Sequence, residues 1–174
     1  MTAEPDPMDA VLRQWRRERP DLDLEPLGLF ARLVQVTRLL EADVERVFAR
    51  HGLRPGEFDV LAALRRAGSP YTMIPSELSA VLRLSRAGMT NRLDRLEAAG
   101  FVERSLDPDD RRSFRIALTG EGRRVIDATL TDHAANLHRL AALVPSGESA
   151  ALDRVLRSML RDLTGELTGD PGGD

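Results

Sequence analysis

Pro75-Ser76-Glu77-Leu78-Ser79-Ala80-Val81-Leu82-Arg83-Leu84-Ser85-Arg86-Ala87-Gly88-Met89-Thr90-Asn91-Arg92-Leu93-Asp94-Arg95-Leu96-Glu97 is the stretch that decides the fold. Pro75-Ser76-Glu77-Leu78 opens a short helix whose inner residues are Leu78, Val81 and Leu82. Proline suits a first helical turn because its missing amide has no partner there anyway. Arg83-Leu84-Ser85 is a tight turn, and Ser85 can cap a second helix, 85–99, by accepting a hydrogen bond from a first-turn amide. On a wheel of about 100° per residue, Met89, Leu93 and Leu96 gather on one side. Ala87 and Asn91 lie opposite, with Thr90 and Asp94 toward Arg86. Two short helices joined by a tight turn, the second capped and small or polar at its start, form a helix-turn-helix.

The exposed face of the second helix has the chemistry of a base reader. Small residues such as Ala87 let the backbone come close, Asn91 can pair with adenine, and Arg86 with guanine or a phosphate. Arg92 falls at the border of the buried stripe. It is badly placed to enter a groove and well placed to touch something beneath the helix.

Moving outward, Gly100 is a helix stop, and the periodicity then changes. Residues 101–105 and 113–118 alternate like strands and flank a charged loop, Leu106-Asp107-Pro108-Asp109-Asp110-Arg111-Arg112, giving a hairpin wing. On the N-terminal side, Phe58, Leu61 and Leu64 define a helix closed by Gly68-Ser69-Pro70. Before it, Pro26 starts a long helix with Phe30, Leu33, Val34 and Leu40 in its stripe, ended at Gly52. Met8, Val11, Leu12 and Trp15 form one face of an additional first helix that Pro20 ends. After the wing, Thr119 caps a long helix, Pro145-Ser146-Gly147 breaks it, and a last helix carries Leu152, Val155, Leu156, Met159 and Leu163.

The expected fold is therefore mainly α with a small β-hairpin wing, a winged helix-turn-helix. Residues 1–20 hold the extra N-terminal helix, 21–52 a dimerisation helix, 53–119 the winged domain, and 120–165 the C-terminal dimerisation helices. Residues 166–174, rich in glycine and aspartate, read as a disordered tail. A winged unit this small cannot cover the apolar stripes of three long helices, so those stripes are expected to meet symmetry mates in a homodimer.

Composition bounds the function. In 174 residues there is no cysteine, which excludes disulfides, thiolate metal sites and iron–sulfur clusters. No apolar run approaches the ~18 residues of a membrane span, and the acidic N-terminus does not read as a signal peptide. A cytoplasmic protein without membrane partners is the expectation. All 25 basic residues are arginine, and the net charge is -3. That total argues against nucleic acid until it is divided. Residues 83–124 hold ten arginines and seven acidic residues, hence +3, leaving -6 elsewhere. A cationic strip on an acidic body suits a protein that approaches phosphates with one face. His133 and His138 are five apart and do not share a helical face, so no metal or other cofactor is expected. Catalytic triads, phosphate-binding glycine loops and paired catalytic carboxylates are not evident, and the chain does not read as an enzyme.

Several of these segments together resemble the MarR family. They are Pro75-Ser76-Glu77-Leu78, Met89 through Glu97, Gly100-Phe101-Val102-Glu103-Arg104, Asp107-Pro108-Asp109-Asp110-Arg111-Arg112 and Leu118-Thr119. The resemblance implies a dimeric winged helix-turn-helix repressor whose helix 85–99 enters the major groove. It also implies that Arg112 of the wing reaches the minor groove with Asp110 bracing it. The expected contacts to double-stranded DNA are Ser85, Arg86, Ala87, Thr90, Asn91, Arg92 and Arg95, with Asp110, Arg111 and Arg112 from the wing. A narrower resemblance, to the urate-responsive HucR- and PecS-like subgroup, implies an anion site made by Trp15, Asp59, Arg92 and Arg104. Its effector would be urate or a tricarboxylate such as trans-aconitate. Two arginines and a carboxylate beneath a helix suit a planar anion, and a tryptophan supplies a flat wall. On that reading Arg104→Ala loses the ligand response and largely keeps DNA affinity. The other reading makes these residues a structural network, with Asp59 paired to Arg92 or Arg104 and Trp15 packed in the core. A winged module that binds protein rather than DNA is the alternative at the level of function.

Overall fold

The structure, a computed structural model, describes residues 5–106 and 114–168. Asp110, Arg111 and Arg112 lie outside the described residues, as do 169–174. The chain divides into two units, one through Thr129 and one from Leu130.

The first unit begins with α1 (Pro7–Glu18), capped by Asp6, whose carboxylate accepts from the amides of Met8 and Asp9. Next comes α2 (Glu25–Arg50), with proline in its first turn as expected. Then follow α3 (Pro55–Arg66), β1 (Thr72–Met73), α4 (Pro75–Leu82), α5 (Arg86–Ala98), β2 (Val102–Leu106), β3 (Phe114–Leu118) and the first turns of α6 (Gly120–Ala141). β2 sits one residue later than its alternation suggests, while β3 ends at Leu118 as expected. They pair antiparallel from Val102↔Leu118 to Leu106↔Phe114.

β1 is an addition that the sequence reading lacks. It pairs antiparallel with β3 through Thr72↔Ala117 and Met73↔Ile116, so the wing is a three-stranded sheet in the order β1-β3-β2. Two residues are too few to show alternation, and only the fold brings this segment beside β3.

Fully buried Leu61, Leu64, Leu78, Met89, Leu96 and Ile116 bring α3, α4, α5 and the sheet onto one core. The rings of Phe48 and Phe58 stack with centroids 4.0 Å apart and tie α2 to α3. α6 enters this core through Ile126. Thr119 caps it, its hydroxyl accepting from the Gly122 amide at 2.9 Å and donating to the Gly100 carbonyl at 2.7 Å.

The second unit comprises the rest of α6 and α7 (Ser149–Thr168), which runs past Gly165, where the sequence suggests a tail. One glycine costs a helix only about 1 kcal/mol, too little to end it. In this unit Leu152, Val155, Leu156, Leu160 and Leu163 are exposed on α7. Within the first unit, α2 likewise exposes Leu29, Phe30, Val34, Val36 and Leu39.

Gly122 marks the tightest approach. A Cβ there would lie 1.9 Å from the Phe101 carbonyl oxygen and 2.7 Å from its carbon, atoms of a backbone that cannot swing aside. Gly122→Ala should therefore destabilise the protein by about 2–3 kcal/mol, seen as a lowered midpoint in thermal or urea unfolding.

Candidate nucleic-acid interface

Ser85 caps α5 as its position suggests, its side chain accepting from the Gly88 amide at 3.2 Å. The buried stripe is Met89, Leu93 and Leu96. Ser85, Arg86, Ala87, Thr90 and Asn91 are exposed, so five of the expected contact residues occupy one open, small or polar face at the helix start. The Thr90 hydroxyl donates back to the Arg86 carbonyl at 3.0 Å, which orders its rotamer. This face borders a cleft of about 560 Å³ lined by Pro75, Ser76, Ser79, Arg86, Thr90 and Phe114, among others. Ser76, Ser79 and Phe114 were missed by sequence reasoning. The serines carry a weak signal, as hydroxyls on the first helix of the motif. Phe114 joins them only because β3 folds back beside α4.

Arg95, expected at DNA, is engaged elsewhere. Its Nε donates to Glu57 Oε1 at 2.7 Å, and that carboxylate, with 8% of its side chain exposed, belongs to α3. Glu57 Oε2 accepts from the Arg54 amide at 2.9 Å, so one carboxylate closes the start of α3 and moors α5. A buried carboxylate needs a paired charge, and Arg95 supplies it. A direct DNA contact is therefore not the role its geometry favours.

Arg92 is half-buried and turned toward α3, as its place on the wheel suggests. Its guanidinium lies against Gly56 and acts electrostatically on Asp59. Packing pushes the Asp59 carboxyl above its ordinary value, and the Arg92 and Arg66 charges offset this in part. Asp59 and Arg92 are thus brought together. Arg104, on β2, faces the recognition helix instead. Its Nη2 donates to Asp94 Oδ1 at 2.5 Å, and its Nη1 lies 3.3 Å from Glu97 Oε2. Asp94 and Glu97 are consecutive acidic positions on one helical face, and together they clamp β2 to α5.

Trp15 sits on α1 and is 44% exposed, so it is not a core residue of this chain. α1 is held on α2 by Leu12, packed over Gly28, and by a fork in which Arg32 donates to Asp6 and Asp9. Arg16 also pairs with Glu25. Among the described residues no cluster of three or more histidine and acidic side chains could hold a metal, and no helix is long and apolar enough to cross a membrane.

A capped second helix with an open polar face, preceded by a short helix and followed by an antiparallel sheet, defines a winged helix-turn-helix protein. The chain belongs to the MarR family, whose model matches residues 51–113. The HTH-type transcriptional regulator PecS of Dickeya dadantii (strain 3937) is 42% identical to it, over 72% of this chain and 76% of that one. Among solved structures, the MarR family regulator AbsC of Streptomyces coelicolor has a TM-score of 0.69 and 25% identity, covering 83% of this chain and 97% of its own. A MarR variant from E. coli, complexed with operator DNA, has a TM-score of 0.64 and 27% identity over 79% and 95%. The chain is thus a DNA-binding transcriptional regulator, and its relatives are regulators, not enzymes.

The α1 anchor gives a test. The Arg32 hydrogen bond, helped by the cap amides, holds the Asp6 carboxyl below its ordinary 3.8. A depressed carboxyl stabilises docking above the unfolded value and loses that contribution as pH falls through the folded value. In a carboxyl-detected NMR titration, Asp6 should titrate below 3.8, and Arg32→Ala should move it back up.

Proposed function

We propose that the protein is a homodimeric, cytoplasmic repressor that reads a pseudo-palindromic operator and is released by a small anion. The observation that carries the DNA reading is the open face of Ser85, Arg86, Ala87, Thr90 and Asn91 on α5, held outward by the burial of Met89, Leu93 and Leu96. Ser76 and Ser79 at the same cleft are suited to phosphate oxygens. Arg112, with Asp110 bracing it, is assigned to the wing's minor-groove contact on the family resemblance, and Arg111 to DNA beside it. That the E. coli relative is complexed with operator DNA supports DNA as the partner. The apolar faces of α2 and α7 support a second copy of the chain, since exposed rows of this kind mark association surfaces. Two recognition helices related by a two-fold axis then require half-sites about 10 base pairs apart.

The effector site is built on Asp59 and Arg92, beneath α5, with Trp15 and Arg104 assigned to it on the family resemblance alone. Urate and trans-aconitate are the candidates, being planar or multiply anionic. Anion bound beside Arg92 favours a state in which α5 sits differently, and the DNA-bound population falls. The Arg104 clamp on Asp94 and Glu97 adds a consequence. Truncating Arg104 loosens the reading helix as well as the site, so Arg104→Ala weakens DNA binding in addition to the anion response.

Footprinting on the DNA upstream of the protein's own gene, with and without urate, trans-aconitate and citrate, tests this. The expected result is a symmetric footprint, steeply salt-dependent, that one of the anions removes. Arg86→Ala and Asn91→Ala should each cost about 1–3 kcal/mol of operator binding. Sequence-blind binding would sink the operator reading, and a footprint insensitive to every anion would sink the effector reading.

A further inference from the structure

Gly56 stands in the first turn of α3, where no left-handed backbone angle calls for glycine. Alanine would favour the helix there. The side-chain environment supplies the missing reason. A Cβ on Gly56 would lie 2.3 Å from Arg92 Cζ, 2.5 Å from its Nε and 2.7 Å from its Nη2. Three atoms of one guanidinium thus occupy the space a methyl group would take, which lays that flat group against the backbone of α3. Asp59 lies three residues on, on the same helical face.

The seat is electrostatically unusual. The first turn of a helix carries partial positive charge and disfavours a cation. The neighbouring carboxylate of Glu57 is engaged by Arg95, and Asp59 is a carboxylate on α3 that interacts electrostatically with Arg92. An arginine held at the positive end of a helix, beside one partly desolvated carboxylate, is poised to accept a further anion. The same arginine belongs to the recognition helix.

We propose that Gly56 is a positioning residue: its bare backbone seats the Arg92 guanidinium on α3 beside Asp59 and so couples the anion site to the recognition helix. The anion half of this inference rests on the effector reading above, whereas the seating of Arg92 does not. Gly56→Ala is a sharp probe because it removes no charge and no hydrogen-bonding group. The clashing atoms are the far end of a flexible side chain, so Arg92 moves and the fold stays.

The experiment compares the parent, Gly56→Ala, Arg92→Ala and the double variant in the full chain. Three quantities are measured: the thermal midpoint, the NMR titration of the Asp59 carboxyl, and the urate or trans-aconitate concentration that half-releases operator DNA. Gly56→Ala should keep the midpoint within about 2 °C. It should shift the Asp59 titration upward, as the Arg92 charge leaves, and raise the half-release concentration about tenfold. In the Arg92→Ala background it should change neither quantity, because an effect that acts through Arg92 vanishes without it. Should Gly56→Ala fold poorly, Arg92→Lys, which keeps the charge and loses the flat group, should raise the half-release concentration in the same direction. An Asp59 titration unmoved by Gly56→Ala, or a shift that persists without Arg92, overturns the proposal. If no anion releases the parent from DNA, the effector reading fails by itself, and the Asp59 titration still decides whether Gly56 seats Arg92.

Discussion

The seating of the recognition helix on α3 is the constraint on which the rest depends. Met89, Leu93 and Leu96 are almost wholly buried, each worth about 1.5–3 kcal/mol. They supply most of the attraction, but an apolar contact has no direction and leaves the helix free to rotate or slide a little. The bond from Arg95 to buried Glu57 supplies direction. Its net contribution is of the order of 1.5–3 kcal/mol, smaller than the apolar sum, yet it fixes which residues face outward. The Arg104 clamp does the same between α5 and the wing strand. Base reading needs this, because a side chain displaced by an ångström loses its hydrogen bonds.

Charge and apolar surface are divided between different parts of the molecule. Residues 83–124, with the reading helix and the wing, carry +3 while the rest of the chain carries -6, so the positive charge is concentrated in the segment that bears the reading face. The long helices have the opposite character. α2 leaves Leu29, Phe30 and Val34 open in the single chain, more apolar surface than an isolated protomer ordinarily shows. In the proposed homodimer a second copy related by a two-fold axis would cover such a face and set the spacing of the two reading helices in one step. The acidic body and the apolar stripes thus serve the same geometry.

Much of this was legible in the chain. Every helix has its stripe at helical spacing, and capping serine and threonine mark the starts of α5 and α6 where the structure has them. The wheel also placed Arg92 facing inward. The features that the chain does not show locally share a cause. β1 is two residues long, Phe114 reaches the cleft by strand return, and Arg95 finds its partner thirty-eight residues away. None of these has a local signature. Arg104 and Asp59 could be singled out by residue type, but residue type does not say which of several nearby charges each will meet.

The sequence by itself determined the order of elements, the buried stripe and open face of the reading helix, and the charge segregation, because periodicity, capping and composition are properties of neighbours in the chain. Only the tertiary structure decided how the arginines divide their work. Arg95 moors, Arg104 clamps, Arg92 lies on Gly56, and Arg86 is exposed at the open face. A guanidinium on a long flexible stem can reach many carboxylates, and which it meets is settled by the packing of separate helices rather than by its place in the sequence.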